Sequence, residues 1–278
     1  DLSARRDGSS AFGRNNQYAN FWAVGAMWKL KKEKFLENIK WLTDLNLRFS
    51  TGFSGNAAGG GYRHLTTIGF DSYYNRQIGY EIKTLGNPNL HWEKQRKTTV
   101  GLNIVLDRAT SFNIEYYDRE TYEMLSSRSI NTTSGREQFF DNAGGFRNRG
   151  VDFTFSSVVY KNEANNFSIR PYFNVNYNNQ ELTALFGKET SKATTSGIGY
   201  KLGRALEWTA VIRKGIDPTT GVVQYYVPGE DRMEQRTDDN DLATDNSGND
   251  LEKLVQTTGK KLQAPINGGF GWDINYKS

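Results

Sequence analysis

The chain has 278 residues, 36% of them hydrophobic and 24% charged, with a formal net charge of +4 and no cysteine. That composition excludes disulfides, thiolate chemistry and cysteine-based zinc sites, and the charge is too balanced to specify a nucleic-acid partner. The 28 Gly, 15 Tyr and 16 Phe against 5 Pro favour pleated strands and turns.

No run of roughly 20 apolar residues is present, so no transmembrane helix is expected, whereas a barrel that crosses a membrane with alternate residues remains open. The polar opening DLSARRDGSS, which starts at Asp1, reads as the interior of a longer chain. Period-2 alternation then begins. Trp22, Val24, Ala26, Trp28 and Leu30 oppose Ala23, Gly25, Met27 and Lys29, a strand at about 18–30. Leu45, Leu47, Phe49, Thr51 and Phe53 alternate with Asn46, Arg48, Ser50 and Gly52. A third strand at about 91–106 sets Val100, Leu102 and Ile104 against Thr99, Gly101 and Asn103. A tight turn at 107–109 leads into Phe112, Ile114 and Tyr116. Val151, Phe153 and Phe155 and then Phe167, Ile169, Phe173, Val175 and Tyr177 make a further hairpin, in which Pro171 predicts a bulge or imperfect pairing. Phe270, Trp272, Ile274 and Tyr276 close a count of seven strands.

A soluble sandwich alternates too, so the joins are what separate the two readings. Short links at 31–41, 107–109 and 161–166 alternate with long joins at about 55–90, 125–141 and 183–265. This is the asymmetry of outer-membrane barrels, with short periplasmic turns and long extracellular loops. Trp28, Phe35 and Trp41 suit an interfacial aromatic belt. Seven strands alone would leave two open edges in lipid, so further barrel strands are required.

Several strings carry a resemblance. DGSSAFGRNN at 7–16, FWAVGAMWKLKKEKFL at 21–36, WLTDLNLRFSTGFSGN at 41–56, LGNPNLHWEKQRKTTVGLN at 85–103, IEYYDRETYEML at 114–125 and FFDNAGGFRNRGVDFTF at 139–155 stand in an order that resembles the SusC/RagA family of TonB-dependent transporters of Bacteroidetes. GIDPTTGVVQYY at 215–226 and APINGGFGWDINYK at 264–277 extend it. The resemblance implies an all-β fold, an antiparallel transmembrane β-barrel segment from a barrel of twenty-two strands, with the plug domain lying outside residues 1–278. It also implies an outer-membrane importer of oligosaccharides or oligopeptides, partnered by a SusD-like surface lipoprotein, by TonB through the plug, and by outer-membrane lipid. The stretch 229–263 has no counterpart in the family pattern.

Catalytic, metal and cofactor sites find little support, and no enzyme activity is expected. His64 and His91 are the two histidines, too few for a histidine-based metal site without an unusual carboxylate set. Asp118 and Glu120 share one strand face, a spacing open to glycoside chemistry, but a polar lumen lining is the plainer reading. Asp238, Asp239, Asn240, Asp241, Asp245, Ser247, Asn249 and Asp250 offer hard oxygens without an EF-hand frame, and Gly59, Gly60 and Gly61 lack the Lys and Ser or Thr of a phosphate loop. Asp217 to Gly221 reads as a hairpin tip. The candidate ligand-binding residues are loop aromatics, Tyr73, Tyr74, Phe139, Phe140, Trp208, Tyr225 and Tyr226, two or three of which would stack on a sugar or bury a peptide side chain. The same aromatics would serve the other reading, a soluble β-rich carbohydrate-binding module. The apolar band decides between them: facing away from the polar residues it belongs to a barrel, and packed on a second sheet it belongs to a module.

Overall fold

A computed structural model of the chain describes residues 1–57, 61–74, 76–107, 109–136, 138–164, 166–185, 191–193, 197–229, 232–233, 236, 242–244 and 251–276; the side chains of 71–74, 129, 191–193, 242–244 and 251–252 are not described. The strands are β1 (Leu2–Gly8), β2 (Tyr18–Lys29), β3 (Leu42–Asn56), β4 (Thr67–Tyr74), β5 (Gln77–Thr84), β6 (Glu93–Leu106), β7 (Thr110–Ser129), β8 (Gln138–Ser157), β9 (Tyr160–Asn162), β10 (Phe167–Ala184), β11 (Ser191–Ala193), β12 (Ile198–Lys201), β13 (Glu207–Val211), β14 (Arg213–Ile216), β15 (Val223–Tyr226), β16 (Leu242–Thr244), β17 (Val255–Lys261) and β18 (Ile266–Asn275). The main sheet runs β1-β2-β3-β6-β7-β8-β10-β18, an antiparallel meander. The chain divides into one unit of residues 1–179 with 265–278 and a second of residues 180–264.

Register turns the alternation into a surface. Side chains directly opposite each other on paired strands share a face. Leu45, Ile104, Phe112 and Phe155 therefore form one row, Trp28, Leu47, Leu102, Ile114 and Phe153 a second, and Ala26, Phe49, Val100, Tyr116 and Val151 a third. Ring contacts join neighbours, as between Phe112 and Phe155 at 5.1 Å and Phe153 and Phe173 at 6.3 Å. The band covers no second sheet among the described residues: Phe49, Val100, Ile114, Tyr116 and Val151 are all exposed. On β10 and β18 it slides toward the short joins, through Phe173 opposite Phe270 and Ile169 opposite Ile274. An apolar belt oblique to the hydrogen-bonded rows is what tilted barrel strands require.

The other face is polar and carries hydrogen bonds between strands. Arg48 donates to Asn113 Oδ1 at 2.8 Å, the Tyr117 hydroxyl donates to Asn178 at 3.2 Å, and Asn176 bridges that hydroxyl to Asp152. Gly150 is dictated by this packing, because a Cβ there would lie 2.4 Å from the Tyr117 hydroxyl.

The joins 30–41, 107–109 and 158–166 lie at one end of the sheet. Residues 30–41 make a 3-10 turn and a single helical turn, α1 (Lys34–Glu37), and the Lys31 ammonium ties them by donating to the carbonyls of Leu36, Glu37 and Ile39. Trp28, whose indole donates to Glu33 at 2.8 Å, Phe35 and Trp41 are half or more exposed here, as an interfacial belt requires. The opposite end carries the joins 9–17, 57–92 and 130–137, of which 57–92 is the long one.

Three expectations change. An additional strand, β1, precedes the first expected one, pairing Leu2 with Val24 and Gly8 with Tyr18. It runs beside the upper part of β2, mostly above the three apolar rows, which is why its sequence is polar. The join expected at 125–141 is largely strand, since β7 and β8 have 20 residues each. Register shifts near Met124 and a positive φ at Glu123 break the alternation that would have revealed it. The bulge expected at Pro171 is absent from the β10–β18 pairing, which keeps register from Ser168 to Tyr177. The Ile169 carbonyl accepts from Val159 N–H, so residues 169 and 171 both turn their main-chain polar groups away from β18, and the missing donor costs that ladder nothing.

Candidate functional site

Above the apolar rows, joins 9–17 and 57–92 are stapled to each other and to the strand ends. Phe12, Phe21, Leu90 and Trp92 form a buried cluster, with Phe12 and Phe21 rings 5.5 and 5.7 Å from Trp92. The Trp92 indole donates to the Gln17 carbonyl at 3.0 Å, and His64 Nδ1 lies 3.0 Å from the Ala11 carbonyl, so join 9–17 is held by join 57–92. Two asparagines do the rest. Asn87, 4% exposed, donates to the Phe140 carbonyl at 2.9 Å and to Asp141 at 3.2 Å. Asn142 donates to the carbonyls of His91 and Glu123 and accepts from His91 N–H at 3.0 Å. Glycine is required where backbone crosses backbone: a Cβ on Gly86 would lie 2.3 Å from the Leu65 carbonyl carbon, and one on Gly13 2.6 Å from the Pro88 oxygen. These contacts give the strings LGNPNLHW and AFGRNN a structural reason.

The histidines serve the same anchor. Glu123 pairs with Lys94 at 2.8 Å and with His91 at 3.3 Å, tying the start of β6 to the bulge in β7. Among the described residues no three His, Asp or Glu side chains cluster as a cation site would need. The oxygen-bearing residues Asp238, Asp239, Asn240, Asp241, Asp245, Ser247, Asn249 and Asp250, and Gly59 and Gly60, lie outside the described residues.

The predicted aromatics are divided between the two units. Tyr73 and Tyr74 fall on β4 opposite Ile78 and Gln77, with side chains outside the description. Phe139 and Phe140 lie on β8 opposite Arg128 and Ser127; the Arg63 guanidinium stacks 3.8 Å from the Phe140 ring, which also packs on the anchor cluster. In the second unit Trp208 lies on β13 opposite Ile198, 48% exposed. Tyr225 and Tyr226 are consecutive on β15, the middle strand of a three-stranded sheet, opposite Ala243 and Leu242 of β16. The buried Gln256 side chain donates to the Tyr226 carbonyl at 3.0 Å, and the Asp217 carboxylate caps the β14–β15 hairpin tip by accepting from Thr219 N–H at 2.8 Å.

One placement corrects the sequence reading. Asp118 and Glu120 do not line the polar face: they continue the outward parity of Phe112, Ile114 and Tyr116. Asp118 is held in a two-point pair by Arg147, with Nε 2.9 Å from Oδ1, and Glu120 by Arg96 at 2.9 Å. The signal was present, since Arg147 and Arg149 precede Val151, Phe153 and Phe155 on the same parity.

Comparison with known proteins places this architecture. A family model described as "TonB dependent receptor-like, beta-barrel" matches residues 1–271. TonB-dependent receptor P3 of Formosa agariphila is 31% identical over 190 residues, 66% of this chain and 19% of its own length. TonB-dependent receptor SusC of Bacteroides thetaiotaomicron is 29% identical over 201 residues, 68% of this chain and 20% of its own. A solved structure of the RagAB peptide transporter superposes with a TM-score of 0.84 at 32% identity, covering 99% of this chain and 30% of that one. The chain thus spans about a fifth of the length of these curated relatives.

Proposed function

The chain belongs to the TonB-dependent receptor β-barrel family, whose place is the outer membrane, and from that premise we propose that it supplies wall and extracellular loops to an active importer of oligosaccharides. The observation that carries the reading is the coincidence of the three outward apolar rows with the long join 57–92 at one end of the sheet and only short joins at the other. A soluble carbohydrate-binding module is not favoured, because the band stays uncovered among the described residues.

In this proposal a SusD-like lipoprotein covers the long joins and TonB acts through a plug domain contributed by the intact protein. Substrate is contacted by two or three of Tyr73, Tyr74, Phe139, Trp208, Tyr225 and Tyr226, while Phe140 serves the anchor. Stacking suits them, because an aromatic face offers apolar area at low entropy cost. Oligopeptides are the second substrate class, favoured by the similarity to the RagAB peptide transporter. Uptake of labelled oligosaccharides and of labelled oligopeptides, in cells with and without the intact protein, tests the assignment. Loss of oligosaccharide uptake alone is expected; loss of peptide uptake alone selects the second class, and loss of neither refutes import.

A further inference from the structure

The inner, polar face of the wall matches its charges low down and leaves them unmatched higher up. In the row that reads Arg48, Gly101, Glu115, Asp152, the Arg48 guanidinium lies 3.9 Å from Glu115 and donates to Asn113. Two rows higher, the same strands bring Gly52, Lys97, Arg119 and Asn148 into line. Lys97 and Arg119 thus stand directly opposite each other on one face, an arrangement in which like charges repel. Neither enters an ion pair among the described residues. The rows directly above, Ser54 to Phe146, and directly below, Ser50 to Gly150, hold no carboxylate.

Two adjacent cations without a counter-ion call for an anion that bridges them. Lys97 is exposed, and Arg119 is half-buried with its guanidinium 4.7 Å from the centre of the Tyr117 ring. A guanidinium resting on an aromatic face is a fixed fork, suited to the two oxygens of a carboxylate, and an ammonium beside it adds a point charge. Asn148, across from Arg119 on β8, supplies an amide that donates and accepts. The flanking Ser50, Ser54, Gln95 and Thr121 are hydroxyls and an amide, neutral partners for sugar hydroxyls. The row stands above the third apolar row, toward the end that carries joins 9–17 and 57–92, where substrate enters in the importer reading.

We propose that Lys97 and Arg119, with Asn148 beside them, bind the carboxylate of an acidic, uronate-containing oligosaccharide on the lumen side of the upper wall. The site rests on the oligosaccharide-import reading and deepens it, by giving the substrate a negative charge. Bound there, the carboxylate relieves the repulsion between the two cations as well as accepting from both, so the acid is preferred over a neutral sugar of the same shape.

The test uses the intact protein in detergent and titration calorimetry. The probes are trisaccharides of galacturonic, glucuronic and mannuronic acid, the same sugars as methyl esters, and acidic tripeptides. At least one acid is expected to bind more tightly than its ester. Arg119→Gln should reduce that acid-over-ester preference roughly tenfold, the scale of one lost charge-assisted bond. Arg119→Lys should fall between, and Lys97→Gln, at an exposed position, gives a second reading of the same ratio. Heat-modifiable gel mobility confirms that each variant is folded. Equal binding of every acid and its ester, including no binding of either, overturns the site. So does an Arg119→Gln loss shared equally by acid and ester, as expected of a contact to the plug domain, or tighter binding of the tripeptides than of any uronate. Uptake by cells separates the two ideas: if oligosaccharide uptake does not depend on the protein, the import reading fails and this site with it. If uptake depends on the protein while acids bind no better than esters, the carboxylate site fails alone.

Discussion

The lower wall and the loop-end anchor hold together by different means. In the wall, ladders of backbone hydrogen bonds fix position, and side chains need only be apolar outward and polar inward, so many residues could serve at each place. In the anchor the order of dependence is reversed. Join 57–92 is fixed by individual side chains, chiefly Trp92, Asn87 and Asn142, acting on the backbone of other segments. A wall built on pattern tolerates exchange within the pattern, while an anchor built on single residues fails at each of them.

Substitutions should expose that contrast. The largest effect belongs to Trp92→Ala, which empties the centre of a cluster shared by Phe12, Phe21 and Leu90. A loss of about 3–5 kcal/mol is expected, with protease cleavage appearing first in joins 9–17 and 57–92. In the wall the side of the sheet should decide the outcome. Ile114→Arg puts a charge in the middle apolar row at a cost of about 2–4 kcal/mol, whereas Thr154→Arg, on the polar face, stays within about 0.5 kcal/mol. Folding into liposomes at graded urea measures both, and equal costs would refute the assignment of faces. Asn142→Ala removes two hydrogen bonds between the β7–β8 hairpin and His91 and a third to the Glu123 carbonyl, an expected loss of about 1–3 kcal/mol, seen as faster amide exchange at residues 89–92.

The same contrast governs what could be read from the sequence. Rows of alternating residues such as 45–53 and 98–106 announce both strand and face, because one covalent period of two maps directly onto one physical division, lipid against water. β1 escaped notice because it flanks only the upper part of β2, where Arg6 stacks 4.7 Å from the Tyr18 ring instead of meeting lipid. The far half of β7–β8 escaped because Glu123, at φ 56°, switches the parity in mid-strand. The anchor was legible as recurring strings but not as contacts, since Asn142 meets His91 across 51 positions and nothing local declares that partnership. Asp118 and Glu120 were visible as a pair, but the side they face follows from counting parity up from Ile114.

The smallest expected effect tests the second unit, where order at a hairpin tip hangs on one carboxylate. Asp217 accepts from the N–H groups of Thr219 and Thr220, and these bonds hold its carboxyl below the usual carboxylate range. A group whose pKa is lowered by folding contributes its stabilisation above its unfolded value and loses it as pH falls through its folded one. The tip should therefore be ordered at neutral pH and loosen only in strong acid. Amide exchange at Thr219, corrected for intrinsic rates, should quicken below the ordinary carboxylate range, while Asp217→Ala should be fast and flat across the same pH range. Gly221, at φ 71°, lets the chain turn there in either protein, so the hairpin itself should persist. Slow, pH-independent exchange in Asp217→Ala would show that the turn backbone, and not the carboxylate, holds the tip.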